Sequence, residues 1–206
     1  MPVDIYSYAR QDVLSLEELE LYHLLMDYRV ANGLGTIPLS AGLTATAGRH
    51  AIDTVENIWI PGLELPDGAN LHSWSDAFYF ADHRNPQVMW EAPQRLGTSY
   101  PGNGFEISAA GYRDAAGALA GWQGSAPHDA VVMNTGIWSD NDWNAIGIGV
   151  EVRQDFDLPY QGNVFHVWFG THMDPGGAPT IEGTSAGDVM PGTDFSDRMA
   201  GLGGND

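Results

Sequence analysis

Two apolar runs late in the chain most constrain how it can fold. Ala145–Val152 and Val164–Phe169 are rich in β-branched and aromatic residues, and their composition predicts two strands. The first run carries glycines at 147 and 149. Glycine weakens a strand unless another part of the chain must come very close to it. We therefore expect a neighbouring element to pack tightly on this strand.

Helices are predicted in the first third of the chain. Ser15-Leu-Glu-Glu18 is a capping box, in which the serine and the glutamate satisfy each other's backbone N–H groups. The apolar residues that follow have helical spacing up to Asn32-Gly33, where the helix ends. A second helix is predicted to begin at Pro38-Leu-Ser40, and it places His50 on or near its buried side. We expect His50 to be a structural histidine held by hydrogen bonds.

Charge and composition exclude several classes of function. The 206 residues include 8 basic and 27 acidic ones, which gives a net charge of -19. Nucleic acid is excluded as a partner because affinity for it depends on basic side chains that neutralise phosphate. The chain has no cysteine, so it has neither disulfides nor thiolate metal ligands. It shows no apolar run long enough to span a membrane, and no signal peptide is visible at its start.

Three turn-rich stretches contain the residues that we consider for a site. They contribute His72, Glu106 and His128, and each is surrounded by glycine, proline, asparagine or tryptophan. Two imidazoles and one carboxylate are ligand types that zinc prefers, and they leave an open position for water. These residues lie far apart in the chain, so their spacing alone does not assemble them.

The body of the chain, from Leu14 to Thr171, resembles bacterial, cysteine-free members of the CAP superfamily (cysteine-rich secretory proteins, antigen 5 and pathogenesis-related proteins). The order and spacing of several short motifs carry this resemblance. They are Leu21-Tyr22 with Tyr28-Arg29-Val-Ala-Asn-Gly33, Pro38-Leu-Ser40, Leu43-Thr44 with Ala47, His50 and Asp53, Leu71-His72-Ser73, Gly104-Phe-Glu106-Ile, Trp122-Gln-Gly-Ser125 with His128, Ile146-Gly-Ile-Gly149, and Trp168-Phe-Gly170.

The resemblance implies an α+β fold, an α-β-α sandwich with a small central antiparallel sheet. It also implies a cleft lined by two histidines and two acids. By motif position, His72 and His128 are the histidines and Glu106 is one acid, while Ser125 replaces the second acid. Either a Zn²⁺ would bind there, or the three side chains would form a hydrogen-bonded polar cluster that braces the cleft. Cleft-supporting roles are expected for Ser73, Ser125 and Trp122.

The composition changes after Asp174. We expect residues 1–174 to form the CAP-like domain and residues 175–206 to be a linker rich in glycine, proline and aspartate. Its end, Gly201-Leu-Gly-Gly-Asn-Asp206, resembles the start of calcium-binding nonapeptide repeats of the RTX type. That resemblance implies possible Ca²⁺ binding at Asp206. It also implies an extracellular protein, exported by a type I-like route without an N-terminal signal peptide.

Three functions are consistent with these observations. The first is a secreted module that binds a small or lipid-like ligand, or an extracellular macromolecule, without catalysis. The second is a zinc-dependent hydrolase or peptidase that uses His72, Glu106 and His128, although the missing fourth acid removes the natural general base. The third is a passenger or structural domain of a calcium-dependent RTX adhesin. The sequence does not indicate an oligomeric state.

Overall fold

The computed structural model describes residues 2–7 and 12–204, and it has the α+β class expected from the sequence. The described residues form six α-helices and five β-strands. In chain order they are α1 (Leu16–Ala31), α2 (Ala41–Ile52), α3 (Gln87–Trp90), α4 (Ala92–Arg95), β1 (Phe105–Ala110), α5 (Ala115–Gln123), α6 (Ala126–Val132), β2 (Ala145–Glu151), β3 (Val164–Gly170), β4 (Thr180–Glu182) and β5 (Arg198–Ala200). A π-helical segment, Asp53–Trp59, continues α2.

The central sheet has three antiparallel strands in the order β1-β3-β2. Its register places Phe105 of β1 and Ile146 of β2 on either side of Phe169. The strands predicted from the two apolar runs are thus confirmed as β2 and β3. The first strand, β1, was not predicted, because its Ser-Ala-Ala end has little strand propensity.

Helices cover both faces of this sheet. On one face, α1 and α5 pack against a core that includes Ile148, Val167 and Phe169. On the other face, α2 packs against β2 and β3, and Trp168 lies in the second core. The expected helix–sheet–helix layering is therefore present. None of the helices in the described ranges is long and apolar enough to cross a membrane.

The close approach predicted from the two glycines of β2 is confirmed, and the neighbour is α2. A side chain at Gly147 would put its Cβ 2.0 Å from the backbone carbon of Leu43. One at Gly149 would lie 2.1 Å from the same atom of Ala47. The backbone of α2 therefore rests directly on β2, and this contact fixes where the rest of α2, including His50, meets the sheet.

The starts of α1 and α2 that the sequence predicts are confirmed. Ser15 and Glu18 form the expected capping box, with Ser15 N–H donating to Glu18 Oε2 at 2.7 Å. Ser40 caps α2, where its Oγ accepts from Leu43 N–H at 3.0 Å. Asp174 Oδ2 in turn accepts from Ser40 Oγ at 2.6 Å, so the residue at the expected domain boundary holds the start of α2.

The part after Asp174 contains ordered structure within residues 175–204. Ile181 of β4 is buried in the core on the sheet face that α1 and α5 cover, and it forms a parallel bridge with Leu14. Strand β5 then pairs with β4 in parallel. The division of the chain into residues 1–174 and a linker stays a prediction, but Ile181, which lies within the expected linker, belongs to the core.

Candidate functional site

Glu106 lies at the centre of a cluster of three histidines, two of which are fully buried. Its side chain has no exposed area, and it projects from β1 beside α2. Oε1 lies 2.6 Å from Nδ1 of His50 and 2.8 Å from Nδ1 of His166, and Oε2 lies 2.6 Å from Nδ1 of His72. Because an ionised carboxylate can only accept, these contacts require hydrogens on the imidazole nitrogens. We call Glu106, His50, His72 and His166 the Glu106 cluster.

Three different elements bring the histidines to Glu106. His50 lies on the face of α2 that rests on the sheet, as the sequence predicted. His166 lies on β3 directly opposite Ser108 of β1. His72 lies in a turn, where its N–H donates to the side-chain oxygen of Asn70 at 3.1 Å, a hydrogen bond typical of asparagine turns.

The ring of His50 is stacked between two other rings. Trp74 lies on one side, with ring centres 4.1 Å apart and planes 12° apart. His166 lies on the other side at 4.0 Å and 16°. His50, Trp74 and His166 are all fully buried. The stack leaves no space for a ligand above or below His50.

The hydrogen bonds of His50 assign its charge. Nδ1 faces the carboxylate of Glu106, and Nε2 lies 3.1 Å from the carbonyl oxygen of Ser73. Both partners are acceptors, so both ring nitrogens donate and His50 is an imidazolium. Burial alone would raise the pKa of Glu106, but the positive charge of His50 and the hydrogen bonds from His50 and His166 hold that pKa well below its usual value. The cluster therefore contains a buried ion pair.

His166 is neutral in this arrangement. Burial, followed by the charge of His50, lowers the pKa of His166 to about 4. Its Nδ1 also lies 2.8 Å from Ser108 Oγ, and its Nε2 lies 3.3 Å from Thr54 Oγ1. Both ring nitrogens therefore have protein partners. No role for His166 could be predicted from the sequence, because its contact with Glu106 exists only once β1 and β3 are paired.

The chemistry of His50, Glu106 and His166 fits zinc, but their geometry does not. Their ligand atoms all lie within 4.8 Å of one another. However, the separations of 2.6 and 2.8 Å are hydrogen-bond distances, whereas ligands around tetrahedral zinc are about 3.3 Å apart. The rings of His50 and His166 are stacked, and both Nδ1 atoms lie at hydrogen-bond distance from the same oxygen, Oε1 of Glu106, which takes the position between them. This buried trio is a hydrogen-bonded cluster.

His128 lies outside the Glu106 cluster, at the start of α6. Its Nδ1 is 2.7 Å from Ser125 Oγ, and within the described ranges no hydrogen bond joins it to Glu106. Burial, and then the charge of His72, lower the pKa of His128. His128 is thus a neutral, half-buried imidazole at neutral pH. The structure brings His72 and Glu106 together and places His128 near His72.

A cleft of about 510 Å³ opens beside His128. Its walls are largely aromatic and aliphatic, and a few polar groups face it. Its lining residues include Trp59, Leu65, Leu71, Ser108, Tyr112, Trp122, Ser125, His128 and Tyr160. Ser108 connects the cleft with the cluster, because its Oγ lies 3.2 Å from Nδ1 of His72.

Of the three residues predicted to support the cleft, two line it and one does not. Trp122 is buried, lines the cleft and donates from Nε1 to the carbonyl of Ser108 at 3.1 Å. Ser125 lines the cleft beside His128. Ser73 is buried, and its Oγ accepts from Tyr79 N–H at 3.0 Å, so it braces the turn that carries His72. The calcium prediction falls on Asp206, which lies outside the described residues.

Comparisons with known proteins find a likeness among solved structures. No protein-family model and no curated protein sequence matches the chain. One similar solved structure is that of a cysteine-rich secretory protein from Staphylococcus aureus subsp. aureus Mu50, with a TM-score of 0.47 and 12% identity. The match covers 76% of this chain and 39% of that protein, so this chain spans well under half of its length. With an identity and a TM-score this low, the match does not assign the chain to a family.

Proposed function

We propose that this protein is a binding module whose cleft takes a small amphipathic ligand. The observation that carries the proposal is the cleft itself, which has aromatic walls and a few polar groups at Ser108, Ser125 and His128. Ligand sites are typically concave and mostly apolar, with a small number of polar groups that orient the ligand, and about 510 Å³ is within their usual size. A ligand of this kind needs no basic residue, which suits a chain with a net charge of -19.

The polar groups of the cleft favour binding over catalysis. A hydrolase needs a general base near the attacking group. Glu106 is the nearest carboxylate to His72, and both of its oxygens are already engaged by imidazoles. His128 contacts Ser125, but no carboxylate among the described residues forms a hydrogen bond with its ring. The cleft therefore offers recognition groups without a complete catalytic set.

A specific observation supports zinc as a second candidate ligand, held by His128 of the cleft and His72 of the Glu106 cluster. Histidines that bind metal usually donate their other ring N–H to a carboxylate or another oxygen. His72 is held in this way by Glu106, and His128 Nδ1 contacts Ser125 Oγ. Their Nε2 atoms would then be the zinc ligands, and Glu106 would orient His72. Zinc bound there could activate water, which is what the predicted hydrolase or peptidase would require.

The predicted export and the calcium-dependent passenger role are further proposals. They are supported by the acidic, cysteine-free composition and by the ending Gly201-Leu-Gly-Gly-Asn-Asp206. An extracellular macromolecule as the partner of the cleft is an additional proposal, supported only by the exposed aromatic rings of Tyr112 and Tyr160 at its walls.

Binding can be tested with N-phenyl-1-naphthylamine, an uncharged fluorescent probe of apolar sites. We expect saturable binding to the intact protein, and at least a tenfold weaker affinity, about 1.4 kcal/mol, in Trp59→Leu. The matched control is Trp138→Leu, because Trp138 packs on Phe105 and Trp143 and does not line the cleft. Non-saturable binding, or the same loss of affinity in both variants, would contradict the proposal.

A further inference from the structure

The segment that follows β4 repeats itself every nine residues. Glycines recur at 183, 192 and 201, and two of them are followed by threonine and, five positions after the glycine, by aspartate. The two complete units are Gly183-Thr-Ser-Ala-Gly-Asp188 and Gly192-Thr-Asp-Phe-Ser-Asp197. A fixed period in the sequence indicates that the same local structure is used more than once.

The two units form the same set of hydrogen bonds. In the first, Thr184 N–H donates to Asp188 Oδ2 at 2.5 Å, and Thr184 Oγ1 donates to Asp188 Oδ1 at 3.0 Å. In the second, the equivalent bonds from Thr193 to Asp197 are both 2.8 Å. In each unit the threonine Oγ1 also accepts from the N–H two residues later, at 3.1 Å. Each nine-residue unit therefore contains a turn with the same threonine–aspartate hydrogen bonds.

After two such units, the chain runs parallel to and beside the strand from which it started. Strands β4 and β5 pair in parallel, with Thr180 opposite Arg198 and Ile181 opposite Met199. Partners are thus eighteen residues apart, which is two units. Parallel strands usually need a long crossover connection, and here the two turns supply it. Ile181, Met190 and Met199 put an apolar residue at the same place in successive units.

The third turn stacks on the first with the same offset. A Cβ on Gly183 would approach the backbone of Gly201 at 3.1 Å, and one on Gly203 would lie 3.8 Å from Ser185. At Gly204 a Cβ would lie 2.1 Å from the carbonyl oxygen of Ala186. The strand pairing and the turn contacts therefore both recur after eighteen residues. Such a repeat is typical of a solenoid coil, in which each unit contacts only its neighbours.

The two edges of this small sheet differ. The outer edge of β4 is occupied, because Leu14 N–H donates to Thr180 O at 2.8 Å and Glu182 N–H donates to Leu14 O at 2.8 Å. Strand β5 pairs with β4, and no other strand of the described ranges pairs with it. Its central residue, Met199, remains 42% exposed. The body of the protein thus covers one end of the coil, and the other end is an open strand edge.

We propose that residues 180–204 are one complete coil of a solenoid built from nine-residue units, and that the open edge of β5 docks a further parallel strand of the same unit. The argument is continuity, because an added unit would repeat on β5 the pairing that β5 itself makes on β4. Main-chain hydrogen bonds to an exposed strand edge supply affinity in such an addition. The apolar side chain at the centre of the added strand would cover Met199.

A test is to append a second copy of residues 189–206 after Asp206, which places the copied Arg-Met-Ala eighteen residues beyond β5. Hydrogen exchange, followed by mass spectrometry, would measure the amides of Arg198–Ala200 in buffer with chelator and in buffer with calcium. We expect at least tenfold slower exchange of these amides in one or both buffers. The control carries the same eighteen residues in scrambled order, and we expect no slowing there. Equal exchange in the two extended proteins in both buffers would overturn the proposal.

A second variant tests the coil in the chain without any extension. Gly204→Ala should speed exchange of the amides of residues 183–187 at least threefold, because its Cβ would push against the carbonyl of Ala186. Gly177→Ala is the matched control, since Gly177 also has a positive φ but has nothing within 4 Å of an added Cβ. Unchanged exchange of residues 183–187 in Gly204→Ala would contradict the stacking of the third turn on the first.

Discussion

The Glu106 cluster and the neighbouring cleft use the same kinds of side chain for different purposes. In the cluster, His50 and His166 are fully buried, both ring nitrogens of each have partners, and a carboxylate balances the charge. In the cleft, His128 is half-buried, neutral and engaged only through Nδ1 in the described structure. The difference teaches that full burial with both ring nitrogens engaged marks a structural imidazole, whereas an imidazole available to a ligand keeps one ring nitrogen open within the described structure.

The largest effect should come from removing the charge at the centre of the cluster. Glu106→Ala leaves the imidazolium of His50 buried without a counter-ion, and we expect a loss of about 3–5 kcal/mol in the free energy of unfolding. Urea denaturation would measure it. Asp82→Asn is the control, because its ion pair with Arg84 is exposed to solvent and should contribute little to the free energy of unfolding. Similar losses in both variants would show that the cluster is not the buried ion pair described above.

The pH dependence of stability should come next in size. The pKa of His166 is about 4 in the folded protein and about 6.5 when unfolded, so the unfolded state binds the extra proton first as the pH falls. Stability should therefore decrease from pH 6.5 to pH 4, by up to about 3 kcal/mol from this group. The contribution of Glu106 is present above its usual pKa and is lost at still lower pH, as the pH falls through its depressed folded pKa.

His166→Asn should flatten this pH dependence, whatever its effect at neutral pH. The measurement is the slope of unfolding free energy against pH between 6.5 and 4, from urea denaturation of the two proteins. His83→Asn, in an exposed loop, should keep the slope of the unchanged protein. An unaltered slope in His166→Asn would mean that His166 does not titrate as a buried neutral imidazole.

We expect the smallest change in unfolding free energy from a substitution in the cleft. The same substitution should have a large effect on zinc binding. His128→Ala removes one hydrogen bond, to Ser125, and should cost less than about 1.5 kcal/mol in unfolding free energy. If zinc binds through His72 and His128, calorimetry should show one-to-one binding that weakens at least tenfold in this variant and declines in mild acid, because the ligands must be deprotonated. His83→Ala is the control. Equal zinc binding in both variants would exclude the cleft as the zinc site.

The features predictable from the sequence were those set by neighbours in the chain. The capping box at Ser15–Glu18 is local, and it was confirmed. The glycines at 147 and 149 predicted a close neighbour without naming it, and the burial of His50 followed from its helical face. These inferences need only backbone sterics and helical periodicity.

The candidate site depended on contacts between distant parts of the chain. Motif order identified His72 and Glu106, which do meet, but it gave no role to His166. That contact needs β1, whose Ser-Ala-Ala end does not look like a strand, to pair with β3 in one register. The nine-residue period of the tail was visible at Gly183, Gly192 and Gly201, and it could have predicted the coil.

The most direct test of the contrast between cluster and cleft is the reactivity of individual histidines. Diethylpyrocarbonate modifies accessible, unprotonated imidazole nitrogens, and mass spectrometry would give a rate for each site. We predict that His128 reacts, more slowly than the exposed His172, and that N-phenyl-1-naphthylamine protects it. His50 and His166 should remain unmodified until the protein unfolds. Modification of either one as fast as His128, or no protection of His128 by the probe, would contradict the account of two sealed structural histidines beside a ligand-binding cleft.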